Sequence, residues 1–277
     1  MSHPSNSHPR NSLKSRFDLV IFDWAGTMVD FGCEAPVQAL IEGFGAVGVS
    51  IDAATARRDM GKAKVDHVRS LLAEPAVAAA WIARHGRASN DADVDGLITR
   101  LGPLMREHAA RAATLIPGAR AAFERLRAAG LRVASSTGYT REMMLPLLAR
   151  AAEQGYTPEH LVCSGETPVG RPSPLMIYKA CAELGVWPLS RVVKVDDAAV
   201  GIAEGKAAGA FTVGVASGNA LGLSLEGLQA LSSHQREVRL ASARQELRSA
   251  GADLVVDSVA DLVSALETVA SAGAHGS

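Results

Sequence analysis

The sequence predicts an α/β fold: a Rossmann-like, doubly wound parallel sheet core with an inserted all-helical cap domain. From residue 119 onward, short apolar runs alternate with helical patterns, which is typical of a parallel sheet covered by helices on both faces. Between an early apolar run at 19–21 and residue 115, in contrast, only helical patterns occur. We therefore predict that this helical block is inserted after the first strand and covers the C-terminal edge of the sheet.

The elements follow in order along the chain. The run at 19–21 predicts a buried strand that ends beside Asp23 and the turn glycine Gly26. The inserted block predicts helices over 35–47, 53–72, 75–86 and 91–112. The alternating part predicts helices over 119–129, 141–153, 173–184, 199–208 and 259–270, and strands over 131–135, 161–163, 192–195, 211–215 and 254–256. The expected domains are a disordered tail at 1–16, an α/β core at 17–31 and 116–277, and the cap at 32–115.

Composition excludes several classes of function. The 277 residues are 48% hydrophobic with a net charge of -1, so the chain has material for a sizeable core and no reason to bind nucleic acid or a membrane surface. The sequence contains no run of about 18 apolar residues, so it predicts no membrane span. The three cysteines, Cys33, Cys163 and Cys181, are odd in number and far apart, which favours a reducing compartment. We expect a cytoplasmic protein.

Four predicted loops meet at the C-terminal edge of the sheet, where ligands bind in open α/β folds. Each has an ordinary interpretation as a helix cap or an exposed turn. Together they offer a carboxylate, a hydroxyl beside backbone N–H groups, a cation and a pair of carboxylates suited to a hard divalent cation. This set of functional groups suits in-line displacement at phosphorus. The four loops contain Asp23, Thr137 with Gly138, Arg171, and Asp196 with Asp197.

The segment 57–67 of the cap places basic residues on a predicted helix. Met60, Lys64 and His67 are spaced i, i+4 and i+7 and would share one face. Lys62 would point away and pair with Asp66. If Lys64 is desolvated beneath the cap, its pKa falls and its amine can condense with a carbonyl group. An ordinary solvated basic face is the alternative.

Four short motifs of the sequence are specific in combination. They are Asp-Trp-Ala-Gly-Thr at 23–27, the set Met60, Gly61, Lys64 and His67, Thr-Gly-Tyr-Thr-Arg-Glu-Met at 137–143, and Gly-Arg-Pro at 170–172. With these motifs the sequence resembles the haloacid dehalogenase-like superfamily over residues 17–270, and within it the phosphonoacetaldehyde hydrolase (phosphonatase) family.

The resemblance implies a reaction and a role for each residue. It implies hydrolysis of phosphonoacetaldehyde, a small phosphonate, to acetaldehyde and phosphate by a homodimer joined through its cap domains. Asp23 would be the nucleophile that becomes phosphorylated, and Lys64 would form an imine with the aldehyde. The other catalytic residues it implies are His67 for proton movement, Thr137 and Arg171. It implies substrate contacts at Ala25, Met60, Gly61, Gly138 and Tyr139, and Mg²⁺ held by Asp23, the Ala25 carbonyl and Asp197.

Two departures from the superfamily pattern bear on function. Position 25 is Ala where phosphatases of the superfamily have an Asp that protonates the leaving group, and position 201 is Gly where many members have a further acidic residue. Whether Asp196 contacts the metal therefore stays open. The alternative function is a phosphatase or phosphomutase acting on a small phosphate monoester, against which Ala25 argues. A non-catalytic member is a third possibility, against which the intact Asp23 and Asp197 argue.

Overall fold

The computed structural model describes residues 12–273 and contains one six-stranded, all-parallel sheet. The strands are β1 Leu19–Phe22, β2 Arg132–Thr137, β3 His160–Cys163, β4 Val192–Asp196, β5 Phe211–Val215 and β6 Leu254–Val256. Their order is β3-β2-β1-β4-β5-β6, so the chain winds outward from β1 first to one side and then to the other. The sheet confirms the predicted fold class and creates a topological switch point between β1 and β4.

Helices cover the sheet and form the inserted block. The helices are α1 Ser12–Arg16, α2 Glu34–Gly45, α3 Ala53–Arg57, α4 Lys64–Ala73, α5 Pro75–His85, α6 Asp91–Arg111, α7 Ala119–Ala128, α8 Arg141–Glu153, α9 Leu175–Leu184, α10 Ala199–Ala208, α11 Leu225–Ala230, α12 Ser233–Ser249 and α13 Leu262–Gly273. Short 3₁₀ turns occur at Leu189–Arg191 and Val259–Asp261. The helices α2 to α6 all lie between β1 and β2 in the chain, and α2 and α4 both pack against α6.

Two linkers join this helical block to the sheet, and they run side by side. Val29 pairs with Leu115 in an isolated β-bridge, and the Ile116 N–H donates to the Met28 carbonyl over 2.9 Å. The Asp30 carboxylate caps the first turn of α2, where it accepts hydrogen bonds from the backbone N–H groups of residues 34 and 35 over 3.0 and 2.9 Å. We propose that these linkers mark the boundary between the cap at 32–115 and the core.

Three sequence predictions differ from the structure. Residues 12–16, assigned to the disordered tail, form α1, because Leu13 is completely buried and α1 packs on α13. The rest of the predicted tail lies outside the described residues. The helix expected over 53–72 is divided into α3 and α4, because Asp59 and Gly61 adopt left-handed backbone conformations with φ of 57° and 95°. Met60 is therefore not on the α4 face. The helices α11 and α12 were not predicted.

Trp24 and the three cysteines lie in the core of the molecule. Trp24 is fully buried with its ring centroid 5.2 Å from that of Tyr156. The cysteines are three buried thiols without disulfide bonds. Among the described residues, no helix combines the length and the apolar character needed to cross a membrane.

Candidate active site

A pocket lies between the C-terminal edge of the sheet and the helical block. The carboxyl ends of β1, β2 and β4 open into it from the sheet, while residues around α2 and the start of α4 close it from the opposite side. Its lining residues are Asp23, Ala25, Cys33, Pro36, Met60, Gly61, Lys64, Thr137, Gly138, Tyr139, Asp196, Asp197 and Ala198. Nine of the predicted site residues line this pocket. Arg171 lies directly behind Asp23, and His67 lies one turn beyond Lys64 on α4.

Arg171 fixes the carboxylate of Asp23. Its Nη1 donates to Asp23 Oδ1 over 2.7 Å, and its Nη2 donates to the Ser136 carbonyl and hydroxyl over 2.7 and 2.9 Å. Its Nε is 2.8 Å from Glu204 Oε2. Burial and the nearby Asp196 raise the pKa of Asp23 to about 6, although Arg171 and Lys194 oppose this rise. Glu204, Asp23 and Asp196 raise the pKa of Arg171 despite its burial, so it stays charged.

Two hydrogen bonds fix the carboxylate of Asp197. The Thr27 hydroxyl donates to its Oδ1 over 2.8 Å, and the Asn219 N–H donates to its Oδ2 over 2.6 Å. A Cβ at Gly26 or Gly218 would lie only 1.9 or 2.2 Å from atoms of this side chain, so both glycines are needed for the backbone to approach it. Burial, with Asp23 and Asp196, raises the pKa of Asp197 well above its ordinary value. The loop after β5, which contributes Gly218 and Asn219, was not among the predicted site loops.

A second buried cation, Lys194, was also missed in the sequence. Its Nζ is 2.9 Å from Asp196 Oδ2 and 3.4 Å from Glu204 Oε2, and it donates to the Ser136 hydroxyl over 3.0 Å. Lys194 and Glu204 are completely buried. The available signal was a lysine within an apolar run that predicts a strand buried on both faces, where an unpaired charge is costly.

The acidic residues of the pocket fit a hard divalent cation. Asp23, Asp196 and Asp197 each offer an oxygen, and these oxygens lie within 4.8 Å of one another. With Glu204, the cluster contains four carboxylates against two cations, Arg171 and Lys194. When all are ionised, two negative charges remain for a cation to balance. Burial is the main cause of the raised pKa values of Asp23 and Asp197, and repulsion from the neighbouring carboxylates adds to it. A bound cation would relieve that repulsion.

The helical block presents a desolvated amine to this pocket. Lys64, the first residue of α4, is 6% exposed, and its Nζ lies 5.5 Å from the centroid of the Tyr139 ring. Burial lowers the pKa of Lys64, an effect that Cys33 and Asp23 oppose and Arg171 reinforces. Burial and Lys64 lower the pKa of His67 to about 3, so its ring is neutral near pH 7. Its ring nitrogens make no well-formed hydrogen bond, although the backbone of Ala56 and Arg58 is nearby.

Glycine at position 138 allows the block to reach the sheet. A Cβ on Gly138 would lie 2.9 Å from the Gly61 carbonyl oxygen and 3.0 Å from that of Lys62. The side chain of Lys62 points away from the pocket, as predicted, but its partner is different. Its Nζ pairs with Asp59 over 2.9 Å rather than with Asp66, because the helix on which the Asp66 pairing depended is broken at 58–63.

Comparison with known proteins agrees with this geometry. A family model described as haloacid dehalogenase-like hydrolase matches residues 17–209, and the chain belongs to that family. Phosphonoacetaldehyde hydrolase from Paraburkholderia phytofirmans is 46% identical over 245 residues, covering 88% of this chain and 92% of the relative. The Bacillus cereus phosphonoacetaldehyde hydrolase is 37% identical over 255 residues, covering 92% and 97%. A crystal structure of a phosphonoacetaldehyde hydrolase-like protein from Oleispira antarctica superimposes with a TM-score of 0.92 at 42% identity, covering 95% of each chain. Within the larger family, these relatives place the chain among the phosphonoacetaldehyde hydrolases.

Proposed function

We propose that this protein hydrolyses the carbon–phosphorus bond of phosphonoacetaldehyde to acetaldehyde and phosphate. The observation that supports this most directly is the pocket itself, which a buried lysine of the helical block and a buried aspartate of the sheet line together. Position 25, which also lines it, has no acidic side chain. The names of the relatives support the same reaction.

The reaction begins at Lys64. Its amine attacks the aldehyde carbon, water leaves, and a protonated imine forms. The lowered pKa of Lys64 increases the fraction of free amine that can attack. The neutral ring of His67, three residues further along α4, is proposed to relay protons during these steps, accepting at one ring nitrogen while it gives up the proton of the other.

Carbon–phosphorus cleavage follows at Asp23. Its carboxylate attacks phosphorus, and the electron pair of the breaking bond moves into the imine, so that the leaving group is an enamine rather than a carbanion. No acid is then needed at Ala25. Arg171 offsets charge on the phosphoryl oxygens, and Thr137 with the Gly138 N–H donates hydrogen bonds to them. The Thr137 hydroxyl oxygen accepts from the Tyr139 N–H over 3.2 Å, which leaves its proton free to donate.

Two hydrolyses complete the cycle. Water attacks the phosphorus of the aspartyl phosphate, which releases phosphate and restores Asp23. The enamine takes a proton on its terminal carbon and becomes an imine again, and water then hydrolyses this imine to acetaldehyde and the free Lys64 amine.

We propose that Mg²⁺ is the cation, held by Asp23, the backbone carbonyl of Ala25 and Asp197. When bound, it supplies positive charge to the phosphoryl group and balances the acidic cluster. Met60, Gly61 and Tyr139 complete the substrate surface, because they line the pocket beside Lys64.

The alternative, hydrolysis or transfer of a small phosphate monoester, keeps Lys64 only as an anion-binding cation. An alkoxide leaving group needs a proton donor, and Ala25 has none to offer. The desolvated amine of Lys64 also favours the imine route over simple charge attraction.

We further propose a homodimer joined through the cap domains, in the cytoplasm. Apolar side chains remain exposed on the helical block, with Val65 on α4 at 36% and Ile82 on α5 at 49%. Sedimentation velocity should give a dimer mass, and Val65→Asp with Ile82→Asp should shift it toward a monomer. A monomeric wild-type protein at micromolar concentration would contradict the dimer.

The substitution Lys64→Arg tests the imine. Arginine keeps the positive charge but cannot condense with an aldehyde, so acetaldehyde release should fall by roughly 10³-fold or more. Lys62→Arg is the matched control, since this neighbouring lysine pairs with Asp59, and its turnover should stay near that of the wild type. Near-normal turnover by Lys64→Arg would exclude the imine mechanism.

A further inference from the structure

Glu204 is a buried carboxylate that lies behind the pocket and not at its surface. It belongs to α10, is completely buried, and is not one of the lining residues. Its Oε2 is 2.8 Å from Arg171 Nε and 3.4 Å from Lys194 Nζ, so one oxygen pairs with both buried cations. The Ser136 hydroxyl donates to the same oxygen over 3.4 Å and accepts from both cations. Glu204 therefore bridges two positive charges that would otherwise repel each other.

Close packing of α10 on the sheet sets the position of Glu204. A Cβ on the next residue, Gly205, would lie 2.9 Å from Lys194 Cβ and 2.6 Å from Thr212 Cγ2. Lys194 lies in β4 and Thr212 in β5, so glycine at 205 lets the helix approach both strands. Because a packed interior leaves a side chain little room to move, the Glu204 carboxylate is a fixed partner for Arg171.

Three nitrogens of the Arg171 guanidinium each face an oxygen. Nη1 donates to Asp23 Oδ1 over 2.7 Å, and Nη2 donates to the Ser136 carbonyl oxygen over 2.7 Å. Nε makes the ion pair with Glu204, which is a charge contact and not an aligned hydrogen bond. Since the guanidinium group is rigid and planar, the contacts at Nε and Nη2 together fix the direction in which Nη1 points. That direction is toward the proposed nucleophile, Asp23.

We infer that Glu204 is a positioning residue, which holds Arg171 in the orientation that fixes Asp23 and faces the phosphoryl group. The inference rests on the proposed function, because it concerns the residues proposed to act on phosphorus. A negative charge near the phosphoryl site weakens the binding of an anion when it acts alone. Glu204 therefore assists only through the cation that it holds. Removing Glu204 should weaken anion binding, whereas a role as an isolated charge predicts that anion binding becomes stronger.

Calorimetric titration with inorganic phosphate, with Mg²⁺ present throughout, tests the sign of this effect. Glu204→Met has a side chain of similar length without charge or acceptor oxygens, and it should bind phosphate about tenfold more weakly than the wild type. Glu204→Gln keeps one acceptor oxygen and should lose less affinity. Glu124→Gln, at an exposed carboxylate of α7 that pairs with Arg120, is the matched control and should bind like the wild type. Thermal unfolding checks that each variant is folded.

Kinetic measurements show whether Glu204 acts through Arg171. Glu204→Gln should lower kcat for acetaldehyde release by about 10- to 100-fold, because Arg171 and Asp23 are misplaced. Borohydride should still trap phosphonoacetaldehyde on Lys64 in this variant, since the imine forms on the helical block. Arg171→Lys replaces the planar group that Glu204 orients. In that background Glu204→Gln should lower kcat by less than about threefold, because both substitutions remove the same interaction.

Phosphate affinity equal to or tighter than that of the wild type in folded Glu204→Met or Glu204→Gln would overturn the inference. Losses of kcat that multiply when Glu204→Gln is combined with Arg171→Lys would also overturn it, because the two residues would then act independently. If Glu204→Met does not fold, Glu204→Gln decides. Wild-type protein that binds phosphate but releases no acetaldehyde would contradict the proposed reaction alone, since phosphate binding requires no carbon–phosphorus cleavage.

Discussion

At the scale of the residue, burial raises the pKa of Asp23, whereas the positive charges of Arg171 and Lys194 lower it. Its pKa is raised to about 6, first by burial and then by Asp196, so the proton binds the folded cluster more tightly than an ordinary aspartate. This raised pKa means that Asp23 adds stability to the cation-free protein below the unfolded value near 4, and that this contribution is lost as the pH rises through about 6. If the proposed divalent cation binds at Asp23, protons compete with it for the same carboxylate.

Cation binding should accordingly weaken in acid. We expect the apparent affinity for Mg²⁺, measured by calorimetric titration between pH 5 and 8, to fall below pH 6 by up to about tenfold per pH unit for each proton displaced. The rise in melting temperature caused by Mg²⁺ should be larger at pH 7.5 than at pH 5. An affinity that does not change over this range would show that the cation does not bind at Asp23.

The sequence predicted that Asp23 and Arg171 would meet at the edge of the sheet, because both lie in predicted edge loops, and the two side chains are joined over 2.7 Å. Lys64 became a candidate only through the resemblance of its motif to a known family, since its spacing alone also fits a solvated basic face. The catalytic roles of all three residues stay predictions. Lys194 was missed although a lysine inside a strand-like apolar run indicates a buried charge. Glu204 was missed because its contact with Lys194 joins β4 to α10, which no local pattern contains.

At the scale of the element, the first linker determines how α2 begins. Both oxygens of Asp30 accept backbone N–H groups at the start of α2, and Asp30 is 7% exposed, so these bonds are sheltered from water. Arg57 reinforces the same linker by donating to the Gly32 carbonyl over 2.6 Å and pairing with Glu34. The start of α2 therefore depends on one buried carboxyl group.

Replacing Asp30 should destabilise the protein. Asp30→Ala leaves both N–H groups without their acceptors and should lower the free energy of unfolding in urea by about 1–3 kcal/mol. Asp30→Asn keeps one acceptor and should lower the free energy of unfolding by less.

The stability that Asp30 provides should also depend on pH. Burial raises the pKa of Asp30 to about 7, so the wild type should lose stability relative to Asp30→Asn as the pH rises through 7. A difference between these two proteins that is constant from pH 6 to 8 would contradict this account.

The strands were predictable as elements because each is a short apolar run between turn residues. The helices α1 and α12 were not predicted, although buried residues recur there at helical spacing. They are Leu13 in α1 with Phe17 directly after it, and Leu240, Ala243 and Leu247 in α12. Their polar surroundings hid this spacing in the sequence. The break at 58–63 was missed for a different reason, because Asp59 adopts a left-handed conformation that its residue type does not require.

At the scale of the whole molecule, the pocket needs both parts of the chain. The sheet edge supplies Asp23, Arg171 and the acidic group that could hold a cation, whereas the helical block supplies Lys64 and His67. Gly138 allows the two parts to meet at the Gly61 and Lys62 carbonyls. In the proposed mechanism, phosphoryl chemistry and imine chemistry therefore belong to different parts of the fold and act on one substrate only where these parts meet.

Reductive trapping tests this account most directly. Wild-type protein with Mg²⁺ and phosphonoacetaldehyde is treated with borohydride, and the modified residue is located by peptide mass spectrometry. We predict loss of activity together with a reduced adduct on Lys64, and no adduct on Lys62 or in Lys64→Arg. Acetaldehyde release by wild-type protein without any adduct on Lys64 would contradict the imine mechanism.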